Sequence, residues 1–218
     1  MPIKKPRRLG RPPASSSLDT RDRILEIALD AFSELGYEAT TNKYIATKAA
    51  ITTGALYHYF DSKVEIYKAV YERVQDRIYE RFSASLQDVE GFVARLEAVL
   101  EAAHTMNSED PSIARFVGAA RVDMARHDEV RVGLGRPAEQ GADFFAGLVD
   151  HGIATGEIDP ANRELVRAFV RIMVVGLTDA VSHDQARHRI AVDAIRAAVE
   201  GRLIRTPLAT SVAKKRRS

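Results

Sequence analysis

From Ile24 onward the apolar residues fall at helical spacing. Ile24, Ile27, Ala28, Ala31, Phe32 and Leu35 form one stripe of an amphipathic helix. Asp19 or Thr20 can cap this helix and Gly36 can stop it. Two short helical pieces follow, Thr41 to Ala49 and Thr53 to Phe60, joined by Ala50-Ile51-Thr52. Ser62-Lys63-Val64-Glu65 then has the form of a capping box. Its Ser62 hydroxyl can accept from the Glu65 amide while the Glu65 carboxylate returns to the Ser62 amide. A long helix is predicted from there, with Tyr67, Val70, Tyr71, Val74, Ile78 and Phe82 along one side. Further helices are predicted over 89–106, 112–127, 137–155, 161–181 and 184–204, between breaks rich in Gly, Pro and Asp. No period-2 alternation of useful length occurs, so the fold is expected to be all-α. That excludes Rossmann and P-loop scaffolds, which need strands.

Composition narrows the class. The 218 residues are 45% hydrophobic and 28% charged, an ordinary globular profile. There is no cysteine, which removes disulfides, thiolate metal sites and a cysteine nucleophile. The longest apolar run, Ile172 to Leu177, is far short of the ~20 residues that a membrane span needs. The basic start is not followed by an apolar stretch, so no secretory leader is expected, and the cytoplasm is the expected compartment. The net charge of +2 hides an uneven distribution. Lys4, Lys5, Arg7, Arg8 and Arg11 precede any acid, and Lys214, Lys215, Arg216 and Arg217 crowd the other end, so the segment between them is net negative. Basic ends on an acidic body suit a polyanionic partner, or serve only as solvated ends.

Two short helices with a tight turn, buttressed by a helix before and one after, are how a helix-turn-helix offers its second helix to the DNA major groove. The run from Thr40 to Ala46, the run Ile51-Thr52-Thr53-Gly54-Ala55-Leu56-Tyr57-His58-Tyr59-Phe60 and the following Ser62-Lys63 resemble the DNA-binding domain of the TetR family of one-component transcriptional regulators. The resemblance spans about Arg21 to Tyr71. It implies a dimeric regulator with an N-terminal helix-turn-helix domain and a C-terminal helical domain for effector binding and dimerisation.

Residue chemistry assigns roles within this frame. Thr41 caps the first short helix, whose amides, with Lys43, can meet a phosphate or base edge. Thr52 caps the second. Thr53, Gly54 and Tyr57 then lie on its exposed N-terminal face, placed to read bases by hydroxyl and methyl, by close backbone approach and by ring or hydroxyl. The resemblance implies that Tyr59 and Lys63 clasp phosphates at the flanks. One of Tyr57 and Tyr59 can instead be mainly structural, and His58 is read as a surface residue. Ala50 stands where the family usually has a turn glycine. A left-handed alanine costs ~1 kcal/mol, so an altered turn is expected. Arg11, within Arg8-Leu9-Gly10-Arg11-Pro12-Pro13, is similar to minor-groove hooks.

The expected organisation is a flexible basic arm over 1–17, a helix-turn-helix domain over 18–65, an effector-binding and dimerisation domain over 66–205 and a basic tail over 206–218. Met106, Phe116, Phe144, Phe145, His151, Phe169 and Met173 are candidates to line an effector pocket, or are ordinary core. Ile172, Ile190, Ala194, Ala198 and Gly201 are candidates for the dimer interface, where small residues let helices approach closely. His183, Asp184 and His188 do not make a metal set, and no cofactor is expected. The expected partners are double-stranded DNA, a second copy of the chain and a small-molecule effector. A regulator without an effector and, more remotely, a helical enzyme using Asp123, Asp150 and His151 are the alternatives.

Overall fold

The computed structural model describes residues 14–135, 140–180 and 184–204, and every element in them is helical. In chain order these are α1(Ala14–Ala39), α2(Asn42–Lys48), α3(Thr53–Leu56), α4(Lys63–Ser85), α5(Phe92–Glu109), α6(Pro111–Arg126), α7(Asp128–Gly133), α8(Gln140–Ala154), α9(Arg163–Ala180) and α10(Gln185–Val199), with a single 3-10 turn at Pro160–Asn162. The all-α expectation is met.

Two boundaries move. The first helix begins at Ala14, ahead of Asp19 and Thr20 and within the segment 1–17 that was expected to precede it. Pro12 and Pro13 stand immediately before that start, and a proline is accommodated only in the first turn of a helix. Gly36 breaks regular helical geometry as expected, at φ 76, but one more turn follows it. The buried Thr40 holds this corner by donating to the carbonyls of Gly36 at 2.8 Å and Ala31 at 3.2 Å. The helix α7 was not foreseen. It is one short turn-and-a-half from Asp128 to Gly133, with Val130 its buried contact.

One apolar cluster runs from Ile24 and Phe32 on α1 through Ile45, Leu56 and Tyr67 to Phe116, Val130 and Leu148, crossing the boundary expected at residues 65 and 66. At its centre Tyr67 meets Phe32, Tyr37 and Phe116 with ring centroids 4.7, 5.2 and 5.2 Å away. A second cluster, including Phe92, Leu96, Leu100, Val149, Val170, Met173 and Val192, joins α5, α8, α9 and α10. The helix α6 lies along α1 and also packs on α5 and α9.

Candidate nucleic-acid interface

The helix-turn-helix is built by caps. Thr41 accepts from the Tyr44 amide at 3.1 Å, and Thr52 accepts from the Ala55 amide at 3.0 Å. Between the helices, Ala50 takes the left-handed conformation at φ 53. Its amide donates to Thr47 O at 3.1 Å and the Ile51 amide donates to Ala46 O at 3.0 Å, the two bonds of a Schellman C-cap. The turn therefore keeps the geometry that a glycine would give, and the altered turn expected from Ala50 is not found. The bonds and the buried Ala49, Ile45 and Leu56 hold the alanine in place.

On the outer side of this unit Tyr57 is 50% exposed. Its hydroxyl accepts from Asn42 Nδ2 at 3.1 Å, so α2 and the end of α3 are tied together at the surface. Lys43 and Gly54 are exposed beside it, and Thr53 is half-buried. A Cβ on Gly54 would meet only Thr52 Oγ1, at 3.8 Å, so nothing inside the chain demands a glycine there. Tyr59 is half-buried and packs against the main core, so of the two tyrosines Tyr57 is the surface one. Tyr44 and Lys48 were not singled out by the sequence. They stack at the edge of the same face, with Lys48 Nζ 5.7 Å from the ring centroid.

Lys63 is placed differently from expectation. Its Nζ donates to the carbonyls of Tyr37 at 2.7 Å and Glu38 at 3.4 Å, and lies 4.1 Å from the Tyr37 ring centroid. Partial burial pulls its pKa below the usual lysine value. The ammonium is held at the α1 corner rather than aimed outward. Arg11, with the rest of the arm to residue 13 and the tail over 206–218, lies outside the described residues.

Behind the helix-turn-helix, Asp123 of α6 is buried and accepts the Tyr37 amide at 3.1 Å and the Tyr67 hydroxyl at 2.8 Å. Burial, then the Asp123 carboxylate, push the Tyr67 pKa far up. Of the other residues weighed for catalysis, Asp150 is ion-paired with Arg163, and His151 Nε2 stands 3.6 Å from Glu90 without a hydrogen bond.

The C-terminal half contains a cavity of about 110 Å³ walled by α4, α5, α6, α9 and single residues of α8 and α10. Met106 and Phe145, two of the candidates for an effector pocket, line it. The other candidates do not. Phe116 is fully buried against Tyr67 and Tyr71, Phe144 packs on Tyr79 and Phe82, Met173 belongs to the second cluster, and Phe169 is exposed. Apolar spacing could not distinguish the inward faces of these helices, since core and cavity wall have the same pattern. Gln75 and Asn107, and His188, weighed before only as a metal ligand, line the cavity as polar groups.

On the outer surface of α9 and α10, Leu165, Ile172 and Ile190 are 70, 71 and 67% exposed. Ala198 and Gly201 are exposed and Ala194 is half-buried. Among the described residues no group of three or more His, Asp or Glu could hold a metal ion, and no helix is long and apolar enough to cross a membrane.

Residues 24–70 match the family model described as bacterial regulatory proteins, tetR family. The chain is 33% identical over 101 residues, 46% of its own length and 75% of the relative's, to the uncharacterized HTH-type transcriptional regulator TtgW of Pseudomonas putida. It is 26% identical over 184 residues, 84% of its length and 92% of the relative's, to the HTH-type transcriptional regulator UidR of Escherichia coli. Among solved structures it is similar to Salmonella enterica GusR, with a TM-score of 0.69 and 25% identity, covering 85% of this chain and 96% of that one.

Proposed function

The chain belongs to the TetR family of bacterial regulatory proteins and is a DNA-binding transcriptional regulator, and from that premise we propose that it acts as a homodimeric repressor released from a pseudo-palindromic operator by a small-molecule effector. The reading is carried by the double engagement of α6. Near its start, Ile113, Ala114 and Val117 wall the cavity; two turns later Asp123 holds the Tyr37 backbone beside the helix-turn-helix. A molecule that enlarges the cavity displaces the same helix that seats the DNA-reading unit. Interiors repack in discrete steps, so a small displacement changes the spacing of two recognition helices. A ligand acts in this way only if it binds the released arrangement more tightly than the DNA-bound one.

Support for a dimer comes from the apolar outer faces of α9 and α10. Leu165, Ile172 and Ile190 stand in solvent in the single chain, and a two-fold pairing of these helices buries them. Two helix-turn-helix units then read half-sites about one helical turn apart. On each, Tyr57 and Gly54 are proposed as base-reading positions, with Thr53 behind them and Thr41, Lys43, Thr52 and Tyr59 toward the backbone. The regulator class of the relatives favours this reading over catalysis.

The test is selection of bound sequences from a random DNA library, followed by fluorescence anisotropy on the selected site while compounds that raise the melting temperature are added. A pseudo-palindrome released by such a compound supports the proposal. If every compound that fills the cavity leaves the operator bound, the chain is a partner-controlled regulator instead.

A further inference from the structure

Asn107, on α5, is 3% exposed, and neither its Nδ2 nor its Oδ1 has a hydrogen-bond partner. An amide buried and unpaired at both ends is unfavourable, because each group has lost water and received nothing in exchange. Native chains keep few such groups, and each calls for a reason. Asn107 lines the cavity of about 110 Å³ in the C-terminal half. Two other polar groups there, Thr178 and His188, differ in availability. Thr178 is already occupied, donating to the Val174 and Val175 carbonyls and accepting from Arg121 at 2.5 Å. His188 has its Nδ1 3.1 Å from His104 Nδ1. One proton serves that contact, so the remaining nitrogen of His188 can donate or accept according to the tautomer.

No described residue lining the cavity carries a formal charge when His188 is neutral, and burial holds the His188 pKa below its ordinary value. The Arg121 guanidinium behind Thr178 is already bonded to that hydroxyl, so a neutral ligand suits the lining without drawing on it. The volume, about 110 Å³, is somewhat below the ~150 Å³ of a cavity that admits benzene. That sets the scale at one ring, with some displacement of the wall. Tyr79, Phe82 and Phe145 supply aromatic faces on that wall.

We propose that this cavity binds a neutral single-ring compound carrying a carboxamide or ring lactam, whose adjacent donor and acceptor pair with Oδ1 and Nδ2 of Asn107 while the ring lies among Tyr79, Phe82 and Phe145. The proposal deepens the effector reading and rests on it, since displacement of Ile113, Ala114 and Val117 is how such a ligand would reach α6.

The test uses the full chain and benzamide, with acetophenone as a neighbour lacking the donor and benzoate as the charged one, by titration calorimetry. Benzamide is expected to bind one per chain, about tenfold or more tighter than either control. Asn107→Leu, close in volume and with no polar group to leave unpaired, is expected to raise the melting temperature by about 2–4 °C and to abolish the preference of benzamide over acetophenone. Absence of benzamide binding, equal affinity for the three compounds, or a preference that survives Asn107→Leu would each overturn the site. Operator release is read separately by anisotropy. Benzamide that binds as described yet leaves the operator bound upholds the site and removes the effector role. Release by a charged compound, with no benzamide binding, removes the site and leaves the effector reading standing.

Discussion

The carboxylate of Asp123, on α6, accepts the backbone amide of Tyr37, 86 residues earlier in the chain, at 3.1 Å. The same oxygen accepts the Tyr67 hydroxyl at 2.8 Å. One side chain thereby ties the exit of α1 and the start of α4 to the last turn of α6, beside the ion pairs of Arg73 with Asp22 and Glu26 that also link α4 to α1. Asp123→Ala leaves a buried amide and a buried hydroxyl unpaired, at about 1–3 kcal/mol each. The expected loss of stability is about 2–5 kcal/mol in urea denaturation, with weaker operator binding because the helix-turn-helix loses its seat. A loss below about 1 kcal/mol would show that water takes over both bonds.

The tyrosines around this contact predict alkaline instability. Burial pushes Tyr37 and Tyr67 far above the ordinary phenol value, raises Tyr71, and carries Tyr79 up to about 12. A group whose pKa is raised by folding contributes stability that is complete below its unfolded value and lost as the pH rises toward its folded one. The chain should therefore keep its stability up to about pH 10, where phenols ionise in an unfolded chain, and lose it progressively between there and pH 12. Tyrosinate absorbance and helical circular dichroism should change together in that interval. Ionisation of all seven tyrosines with the helices intact would contradict the burial of Tyr67.

Gly54 and Tyr57 separate reading from folding. Since a Cβ on Gly54 has room, Gly54→Ala should hold or raise stability by up to about 1 kcal/mol, as alanine is the better helix former. Its methyl group nevertheless intrudes where a base edge would approach. Tyr57→Ala removes a half-exposed ring and its bond from Asn42, a small change to the fold. Both variants are expected to lose about 1–3 kcal/mol of specific affinity per half-site while non-specific binding stays. Unchanged operator affinity with a lower melting temperature would make Tyr57 a structural residue.

How far the sequence goes is visible in these same residues. The caps at Thr41, Thr52 and Ser62 were legible because a hydroxyl placed before an apolar stripe has one obvious use. Tyr67 was legible as core from its spacing. Its bond to Asp123 was not, since local pattern carries no information about a partner 56 residues away. The strain at Ala50 was foreseen, yet its consequence was misjudged, because a penalty of ~1 kcal/mol is small beside the buried packing that fixes the turn. In the C-terminal half, an apolar face predicts burial without saying whether core, cavity or a second chain does the burying. Phe116 is core, Met106 lines the cavity and Ile172 stands exposed on the single chain.

Lys63 tests the corrected assignment. Its ammonium donates to Tyr37 O at 2.7 Å, closing the corner that Asp123 closes from the other side. Lys63→Met keeps the aliphatic stem and removes these bonds, so stability should fall by about 1–2 kcal/mol, the range for a hydrogen bond from a charged group that is partly in solvent. The slope of log affinity against log salt should stay unchanged. A slope reduced by about one unit would place Lys63 on a phosphate and return it to the DNA-contacting set.

The last expectation concerns the apolar faces of α9 and α10. Ala194 is half-buried within the chain, so a large residue there would disturb the fold as well as any interface. Ile172 and Ile190, 71 and 67% exposed, make cleaner probes. Ile172→Arg and Ile190→Arg substitute surface positions in the single chain, where such changes usually stay within about 0.5 kcal/mol. In a two-fold interface each change acts twice and brings two unpaired charges into a surface that should be losing water, an unfavourable change of several kcal/mol. The double variant should sediment as a monomer with its helical content intact. Its affinity for a two-half-site operator should fall by about 10²-fold or more, while binding to a single half-site is unaltered, because the second contact is no longer intramolecular. A dimer that persists in the double variant would place the interface on another face and leave these isoleucines as isolated surface residues.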